Sequence, residues 1–314
     1  MTDQSPSAPQ QTVHIPILAG PITEAILEPF KKLAPDASVH WIVDCTLGGG
    51  GHTGEFLKAL AADPRTQKHK VLSVDQDAEA IERARQRFDA EIRQGRLELF
   101  HGRFSEVTKA LGGKPVLGLL ADLGFSSDQM DNPERGLSFR FQGPLDMRLD
   151  PSRGVSCRDL LFRITERELE QILSEYGEER FSRRIAGAIV NARREGNLPR
   201  TTQELAELVV RAVPPPARHG RIHAATRTFQ ALRIVVNEEL KELDCLLERV
   251  IMEIVPGGRA AILSFHSLED RKVKHAFRGE GWDPLTKKPL EADEEEVARN
   301  PRSRSAKLRV AVRT

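Results

Sequence analysis

The chain has few of the features that mark membrane proteins, secreted proteins or disulfide-stapled folds. Its 314 residues contain three cysteines, Cys45, Cys157 and Cys245, which are widely spaced and include no paired Cys-x-x-Cys. No apolar run approaches the roughly 18 residues of a membrane-spanning helix. The N-terminal segment "MTDQSPSAPQQT" has neither the basic nor the apolar region of a signal peptide. These absences predict a reduced, cytoplasmic protein with no membrane partner and no zinc or redox cysteine pair.

The chain also lacks an excess of charge of either sign. Lys and Arg total 47 against 46 for Asp and Glu, which leaves a formal net charge of +1. Any evidence for a nucleic-acid partner must therefore come from how the charges are distributed. A hydrophobic fraction of 39% is enough for a buried core. Residues 1–13, polar and rich in Ser, Pro and Gln, are predicted to be a disordered tail.

What the sequence does have is an alternation of short apolar runs and helical patterns. Helices are predicted over 53–61 and 78–88, the second with Asp77 as its N-cap. Strands are predicted over 40–45, 70–77, 97–102, 115–124, 259–267 and 307–313. This alternation predicts an α/β fold with a doubly wound, mostly parallel sheet.

The alternation is interrupted in the middle of the chain. Between about 132 and 222 the segments have helical composition and no convincing strand. From 229 to 254 apolar residues recur every three or four positions, which predicts one long amphipathic helix ended by "PGG" at 256–258. The sequence therefore predicts one α/β domain, residues 14–128 and 226–314, with an inserted all-helical domain at 129–225.

The segment "DCTLGGGGHTGEF", which begins at Asp44, indicates a ligand site after the first strand. Four consecutive glycines mark close approach to the main chain or left-handed backbone. The G-x-G-x-x-G pattern within it would equally serve a dinucleotide. Asp44 in the approach to the turn would suit a cationic amine or sulfonium, and Asp75 after the second strand would accept hydrogen bonds from ribose hydroxyls. Adenosine joined to a cationic amino acid describes S-adenosylmethionine.

The fourth predicted strand supplies the second chemical clue. In "LLADLGFSSDQMD" the carboxyl group of Asp122 falls at the ligand edge of the sheet, where amino methyltransferases carry Asp or Asn. At this point the chain closely resembles the bacterial small-subunit ribosomal RNA (cytosine-N4) methyltransferases. The resemblance extends from about His14 to Arg313 and rests also on "GGGGHTGEF", "HGRFSE", "ERGLSFRFQGPLDMR", "YGEERFSRRIA", "HAATRTFQALRIVVNEEL" and "FHSLEDRKVK".

The resemblance implies a Rossmann-like class I methyltransferase sheet and transfer of a methyl group from S-adenosyl-L-methionine to the N4 amine of a cytidine. It places that cytidine in 16S rRNA of the small ribosomal subunit, near the decoding centre, and it leaves a homodimer open. Asp122 is the expected catalytic group, and no metal is expected. By resemblance the cofactor contacts are Gly50, Gly51, His52, Asp75, Phe104, Asp122 and Gln129.

Arginines are concentrated in the predicted insertion and point to RNA. Between 180 and 233 there are eleven arginines and no lysine, against three glutamates and no aspartate, so the local excess is 11 − 3 = +8. Arginine grips phosphate in a bidentate fork. The alternative is that some of these arginines pair with the acidic run at 291–296, and a second basic stretch lies at 299–309. The predicted RNA contacts are Arg183, Arg184, Arg193, Arg194 and Arg221.

Two functions from other classes stay open on the residues alone. A nicotinamide-dependent dehydrogenase would explain the glycines and Asp75, but not the Asp122 segment or the basic insertion. A non-catalytic RNA-binding or assembly factor would explain the arginines, but it gives Asp44, Asp75 and Asp122 no shared purpose.

Overall fold

The computed structural model describes residues 16–218, 220 and 222–314. The tail predicted for residues 1–13 and the predicted RNA contact Arg221 lie outside the described residues. The described part contains a seven-stranded sheet: β1 (Trp41–Asp44), β2 (Lys70–Asp75), β3 (Leu97–His101), β4 (Val116–Asp122), β5 (Ile254–Ser264), β6 (Trp282–Pro284) and β7 (Lys307–Arg313).

The sheet has the order β3-β2-β1-β4-β5-β7-β6. The first five strands of this order pair in parallel, whereas β7 runs antiparallel to both β5 and β6. The progression of the chain across the sheet reverses between β1 and β4, and this switch point is where open α/β sheets bind ligands. The predicted class I methyltransferase sheet is confirmed, and β6, only three residues long, was not predicted.

The helices of the described residues follow the predicted alternation and then dominate the middle of the chain. They are α1 (Ala19–Lys31), α2 (Gly51–Ala62), α3 (Ala78–Arg87), α4 (Asp89–Arg93), α5 (Val107–Leu111), α6 (Ser127–Asp131), α7 (Cys157–Arg163), α8 (Glu166–Gly177), α9 (Ser182–Arg194), α10 (Thr202–Ala212), α11 (Thr226–Val236), α12 (Glu239–Glu248), α13 (Ser267–Ala276) and α14 (Glu294–Arg299). Asp77 caps α3 as predicted, because its side chain accepts a hydrogen bond from the Glu79 backbone N–H.

Two apolar cores cover the two faces of the sheet. Helices α1, α2 and α3 fill one face with side chains such as Ile26 and Phe56, and α5, α12 and α13 fill the other with side chains such as Leu246 and Val273. Helix α1 approaches β4 very closely: a Cβ at Gly118 would come within 2.7 Å of the Ile26 side chain. A glycine at this position of β4 therefore lets α1, which was not predicted, pack directly on the sheet.

A third core belongs to the helices between β4 and β5. It joins buried residues from α7 to α11, among them Leu161, Leu173 and Ile189. The starts of α8 and α10 carry capping boxes at Thr165 and Thr201, which satisfy the first backbone N–H groups. The division of the chain at 129–225 remains a prediction, and α11 packs its apolar side into this helical core.

The long helix predicted from 229 to 254 is wrong. The chain forms α11 and α12 instead, separated at Asn237 and Glu238, and Glu238 has a left-handed backbone with φ of 52°. Asn237 is buried and donates from its side chain to the carbonyl of Met147, which fixes the break. The apolar spacing continues through the break because α11 packs on the helical core while α12 packs on the sheet. The "PGG" segment lies within β5 rather than ending a helix.

Within the described residues no helix is both long enough and apolar enough to span a membrane. The three cysteines are free thiols; Cys45 and Cys157 are buried. Residues 294–296 of the acidic run begin α14, and most of the run at 291–296 is exposed.

Candidate active site

The carboxyl ends of β1, β2 and β4 meet at a cavity of about 420 Å³. This volume lies within the range that small-molecule and cofactor sites occupy. The cavity is lined by the glycine turn, the end of β2, the segment after β3 and the segment after β4. It is also bordered by α11, α12 and the turn at 300–305. Six of the seven residues predicted to contact the cofactor line it: Gly51, His52, Asp75, Phe104, Asp122 and Gln129.

The glycine turn is held by specific contacts. Gly48 and Gly50 have positive φ angles of 49° and 75°. The N–H of Gly48 donates to Asp75 Oδ2 at 2.7 Å, and Arg87 Nη1 donates to the carbonyl of Gly49 at 2.6 Å. Gly48, Gly49 and Gly51 line the cavity, whereas Gly50 is not among its lining residues. A Cβ at Gly50 would come within 2.7 Å of the Phe88 ring, so this glycine serves the packing of the turn.

Asp75 is built into the floor of the cavity. Its two carboxylate oxygens accept backbone N–H groups, Oδ2 from Gly48 and Oδ1 from Asp77 at 2.8 Å. Burial raises the pKa of Asp75 to about 6, although both hydrogen bonds oppose the shift. Each oxygen keeps a lone pair for a further donor. The side chain can therefore organise the glycine turn and accept hydroxyl groups from a ligand at once.

The sequence hypothesis for Asp44 is wrong. Asp44 is fully buried and is not among the residues that line the cavity. Its carboxylate accepts the hydroxyl of Thr53 at 2.7 Å and the backbone N–H of Thr46 at 3.1 Å. Burial raises the pKa of Asp44. Asp44 therefore secures the start of α2 and does not line the cavity.

Asp122 differs from the other two aspartates because it lines the cavity with a side chain that is 26% exposed, while one of its oxygens has no partner among the described residues. Its backbone N–H donates to the Thr46 hydroxyl at 2.6 Å, which fixes the end of β4. Its Oδ1 is buried and has no hydrogen-bond partner among the described residues. Burial, together with the charges of Asp44 and Glu269, raises the pKa of Asp122 to about 8. A carboxyl group with this pKa can hold or accept a proton near neutral pH.

His52 lies beside Asp122 in the wall of the cavity. The Nε2 of His52 lies 3.7 Å from Asp122 Oδ2. The imidazole is 5% exposed, and neither ring nitrogen has a hydrogen-bond partner within the described residues. Burial lowers the pKa of His52 to about 4, so the ring is neutral at physiological pH.

Phe104 and Gln129 occupy separate parts of the cavity wall. Phe104 begins a short 3₁₀ helix after β3, and its partly buried side chain lines the cavity, where a flat ligand could meet the ring. The Gln129 amide donates to Asp77 Oδ2 at 2.8 Å, and its oxygen accepts the backbone N–H of Ser126 at 2.9 Å. Gln129 therefore ties the segment after β4 to the segment after β2.

The predicted RNA-contacting arginines do not share one environment. Helix α9 is continuous from Ser182 to Arg194, and it exposes Arg183, Arg184 and Arg194. Arg193 is partly buried, and its Nη1 donates to the carbonyls of Leu161, Phe162 and Ile164 at the end of α7. Among the described residues no ion pair joins the insertion arginines to the acidic run at 291–296.

Sequence reasoning missed a group of charged side chains on the α11 and α12 side of the cavity. Arg233 and Glu239 form an ion pair there, and Glu269 lies beside His266 with their side-chain atoms 3.1 Å apart. These residues lie within motifs that carry the family resemblance, but their positions in the sequence do not show that they are close together in the fold. Glu239, His266 and Glu269 are close enough to hold a metal ion, but Arg233 already neutralises Glu239.

The sheet order, the glycine turn, Asp75 and Asp122 define a Rossmann-like methyltransferase that uses S-adenosylmethionine. The chain belongs to the MraW methylase family, whose model matches residues 11–314.

Curated relatives match over nearly the whole length. Ribosomal RNA small subunit methyltransferase H of Sorangium cellulosum is 48% identical over 313 residues, 98% of this chain and 93% of that protein. The protein of the same name from Synechococcus sp. is 49% identical over 283 residues, 87% of this chain and 85% of that protein. Among solved structures, a putative rRNA methylase from Clostridium thermocellum aligns with a TM-score of 0.40 at 12% identity, over 96% of this chain and 100% of that chain.

Proposed function

We propose that the protein transfers the methyl group of S-adenosyl-L-methionine to the exocyclic N4 amine of a cytidine in 16S rRNA. The single observation that carries the proposal is the position of Asp122, whose partly exposed side chain shares one cavity with the glycine turn and Asp75. The names of the curated relatives, ribosomal RNA small subunit methyltransferases, support the same substrate class.

The residues of the cavity fit the cofactor. Asp75 would accept the ribose hydroxyls, Phe104 would border the adenine, and Gly51 and His52 would present the first N–H groups of α2 to the carboxylate. When bound, the cofactor supplies an electrophilic methyl group on a positively charged sulfur. That this transfer needs no metal remains a prediction.

Asp122 is the catalytic residue of the proposal. The cytosine amine is a weak nucleophile because its lone pair is delocalised into the ring. The Asp122 carboxylate accepts one N4 hydrogen and holds the amine for in-line attack. Positioning of the two reactants by the site as a whole can contribute up to about 7–11 kcal/mol in favourable cases. As the N–CH₃ bond forms and the S–CH₃ bond breaks, the amine loses one proton, and the Asp122 carboxylate takes it.

The RNA is held by the helical part of the chain, proposed as residues 129–225. Arg183, Arg184 and Arg194 are exposed along α9 and contact the phosphates, whereas Arg193 stabilises α7. The target base must be unstacked to reach Asp122 in the cavity. We place the substrate in the assembling small subunit, near the decoding centre, and the enzyme in the cytoplasm. A homodimer stays a prediction that light scattering can decide.

Mass spectrometry of 16S rRNA tests the proposal. The rRNA of a strain without this protein should lack one methyl group on a cytidine, and expression of the wild-type chain should restore it as N4-methylcytidine. Asp122→Asn should not restore it, whereas the exposed control Asp36→Asn should. Restoration of a 5-methyl or N3-methyl isomer would contradict the proposal.

A further inference from the structure

One wall of the cavity holds a buried arginine that the proposed chemistry does not use. Arg233 lies in the last turn of α11, and its side chain is 13% exposed. Its Nε and Nη2 donate to the two oxygens of Glu239 at 2.8 and 3.0 Å. This bidentate pair fixes the plane of the guanidinium group.

An aromatic ring fixes the same group from its face. The Cζ of Arg233 lies 4.6 Å from the ring centroid of Phe125, within the range of a cation–π contact. Phe125 follows Asp122 by three residues, in the segment that leaves β4. Both residues and Arg233 line the cavity. The guanidinium group is therefore held in place before any ligand arrives.

One edge of the guanidinium group stays free. Within the described residues Arg233 Nη1 makes no hydrogen bond, and the Nη2 bond to Glu239 uses one of its two hydrogens. The free edge therefore offers two parallel N–H donors. A structural arginine in a protein interior would be expected to use these donors, and a cavity-lining one can offer them to a ligand.

Glu269 links this arginine electrostatically to Asp122. Burial opposes the charge of Arg233, but the carboxylates of Glu239 and Glu269 hold its pKa above the ordinary value. The pKa of Asp122 is raised mainly by burial, then by the charge of Asp44 and then by the charge of Glu269. Arg233 and Asp122 thus share a charged neighbour in one cavity.

We propose that Arg233 reads the pyrimidine, donating from its free edge to N3 and O2 of the target cytosine while the adjacent N4 amine lies at Asp122. Cytosine presents these two acceptors side by side, next to the amine. Adenine has one acceptor, N1, followed by a C–H group, and uracil presents an N–H at position 3. A guanidinium fork therefore selects cytosine, as it selects paired acceptors on other bases. This inference rests on the proposed function.

A substrate analogue combined with a variant tests the reading. Single-turnover methylation is measured on small-subunit RNA carrying cytidine or 3-deazacytidine at the methylated nucleotide; the analogue replaces N3 by C–H. For each protein, the rate on cytidine is divided by the rate on 3-deazacytidine. Because the fork recognises N3, the wild-type ratio should be roughly 10- to 100-fold larger than that of Arg233→Lys, which keeps the charge and removes the fork. The intrinsic reactivity of the analogue cancels between the two proteins.

Controls separate base reading from folding. Arg227→Lys is the matched control, because Arg227 lies on α11 but donates to the Glu178 carbonyl and is not among the cavity-lining residues. It should keep the wild-type ratio. Arg233→Lys should bind S-adenosylhomocysteine as the wild type does. If Arg233→Lys does not fold, Glu239→Gln replaces it. Glu239→Gln keeps Arg233 but removes the charged partner that fixes the plane of its guanidinium group, so its ratio should lie between that of the wild type and that expected for a protein without the fork.

The outcomes also separate this inference from the proposed function. Equal ratios for wild type and for the folded Arg233 or Glu239 variant, with N4-methylcytidine still formed, would show that the ion pair is only structural. A wild-type product other than N4-methylcytidine would overturn the proposed function, and the inference with it.

Discussion

His52 Nε2 lies 3.7 Å from Asp122 Oδ2 in the wall of the cavity, and burial favours the neutral form of each. The pKa of the imidazole falls to about 4 and that of the carboxyl group rises to about 8. Near pH 7 the cavity therefore holds a protonated Asp122 beside an uncharged ring. A positively charged ligand reverses this preference, because it stabilises the Asp122 carboxylate.

The first prediction concerns the pH dependence of cofactor binding. Below about pH 8 the bound sulfonium should displace the Asp122 proton, so S-adenosylmethionine affinity should fall as pH decreases, by up to about tenfold per unit. S-adenosylhomocysteine has no sulfonium charge and should show a weaker dependence. Calorimetry from pH 6 to 9 measures both, and Asp122→Asn should remove the difference. Parallel curves for the two ligands in the wild type would contradict this account of Asp122.

The second prediction concerns folding stability. A carboxyl group whose pKa is raised in the folded protein gives stability that is present below its unfolded pKa and lost as pH rises through the folded pKa. For Asp122 this loss spans about pH 4 to 8. Asp122→Asn stays neutral, so its Tm relative to wild type should rise across that window and level off above it. A Tm difference that is constant from pH 5 to 8.5 would show that Asp122 is not strained by burial.

The third prediction concerns Asp75. Asp75→Ala should weaken S-adenosylhomocysteine binding by roughly 1.5–3 kcal/mol, because hydrogen bonds to a charged group contribute about that much. The variant also removes the acceptor for Gly48, so the glycine turn should loosen. Calorimetry at pH 8 measures the affinity, with Asp36→Asn as the exposed control. Wild-type affinity would leave Asp75 with a role in the turn alone.

The fourth prediction separates two kinds of arginine on α9. Replacing Arg183 and Arg194 by Gln should reduce the slope of log affinity against log salt by roughly 0.7–0.9 for each phosphate that is no longer neutralised. Arg193→Gln should leave that slope unchanged and lower Tm, because its Nη1 caps three carbonyls at the end of α7. RNA binding measured at salt concentrations from about 50 to 200 mM, with cofactor affinity as the control, distinguishes them. The reverse pattern would place Arg193 in the RNA site.

The sheet could be predicted because most strands are recognisable from the pattern of their own residues. The run from Val116 to Asp122 is apolar and ends in a carboxylate, and the structure buries it as β4 and places Asp122 at the ligand edge. The three residues of β6 carry no such pattern. The break at Asn237 was missed because apolar spacing continues through it, although the two helices serve different cores.

The site could be predicted only where one segment supplies the whole feature. The glycine turn and Asp75 are local, and both line the cavity. Asp44 looked like a ligand group, but its environment depends on Thr53 in the first turn of α2. Arg233 is one of the eleven arginines between 180 and 233, and only the packing of α11 beside the cavity distinguishes it from the exposed ones.

Single-turnover transfer from methyl-tritiated S-adenosylmethionine to unmethylated 16S rRNA, followed by nucleoside analysis, tests the central claim most directly. The wild type should place the label in N4-methylcytidine. Asp122→Asn should be slower by about 10²–10⁴-fold while still binding S-adenosylhomocysteine. Label in another nucleoside, or a wild-type rate for Asp122→Asn, would contradict the assignment of cytosine-N4 transfer to this cavity.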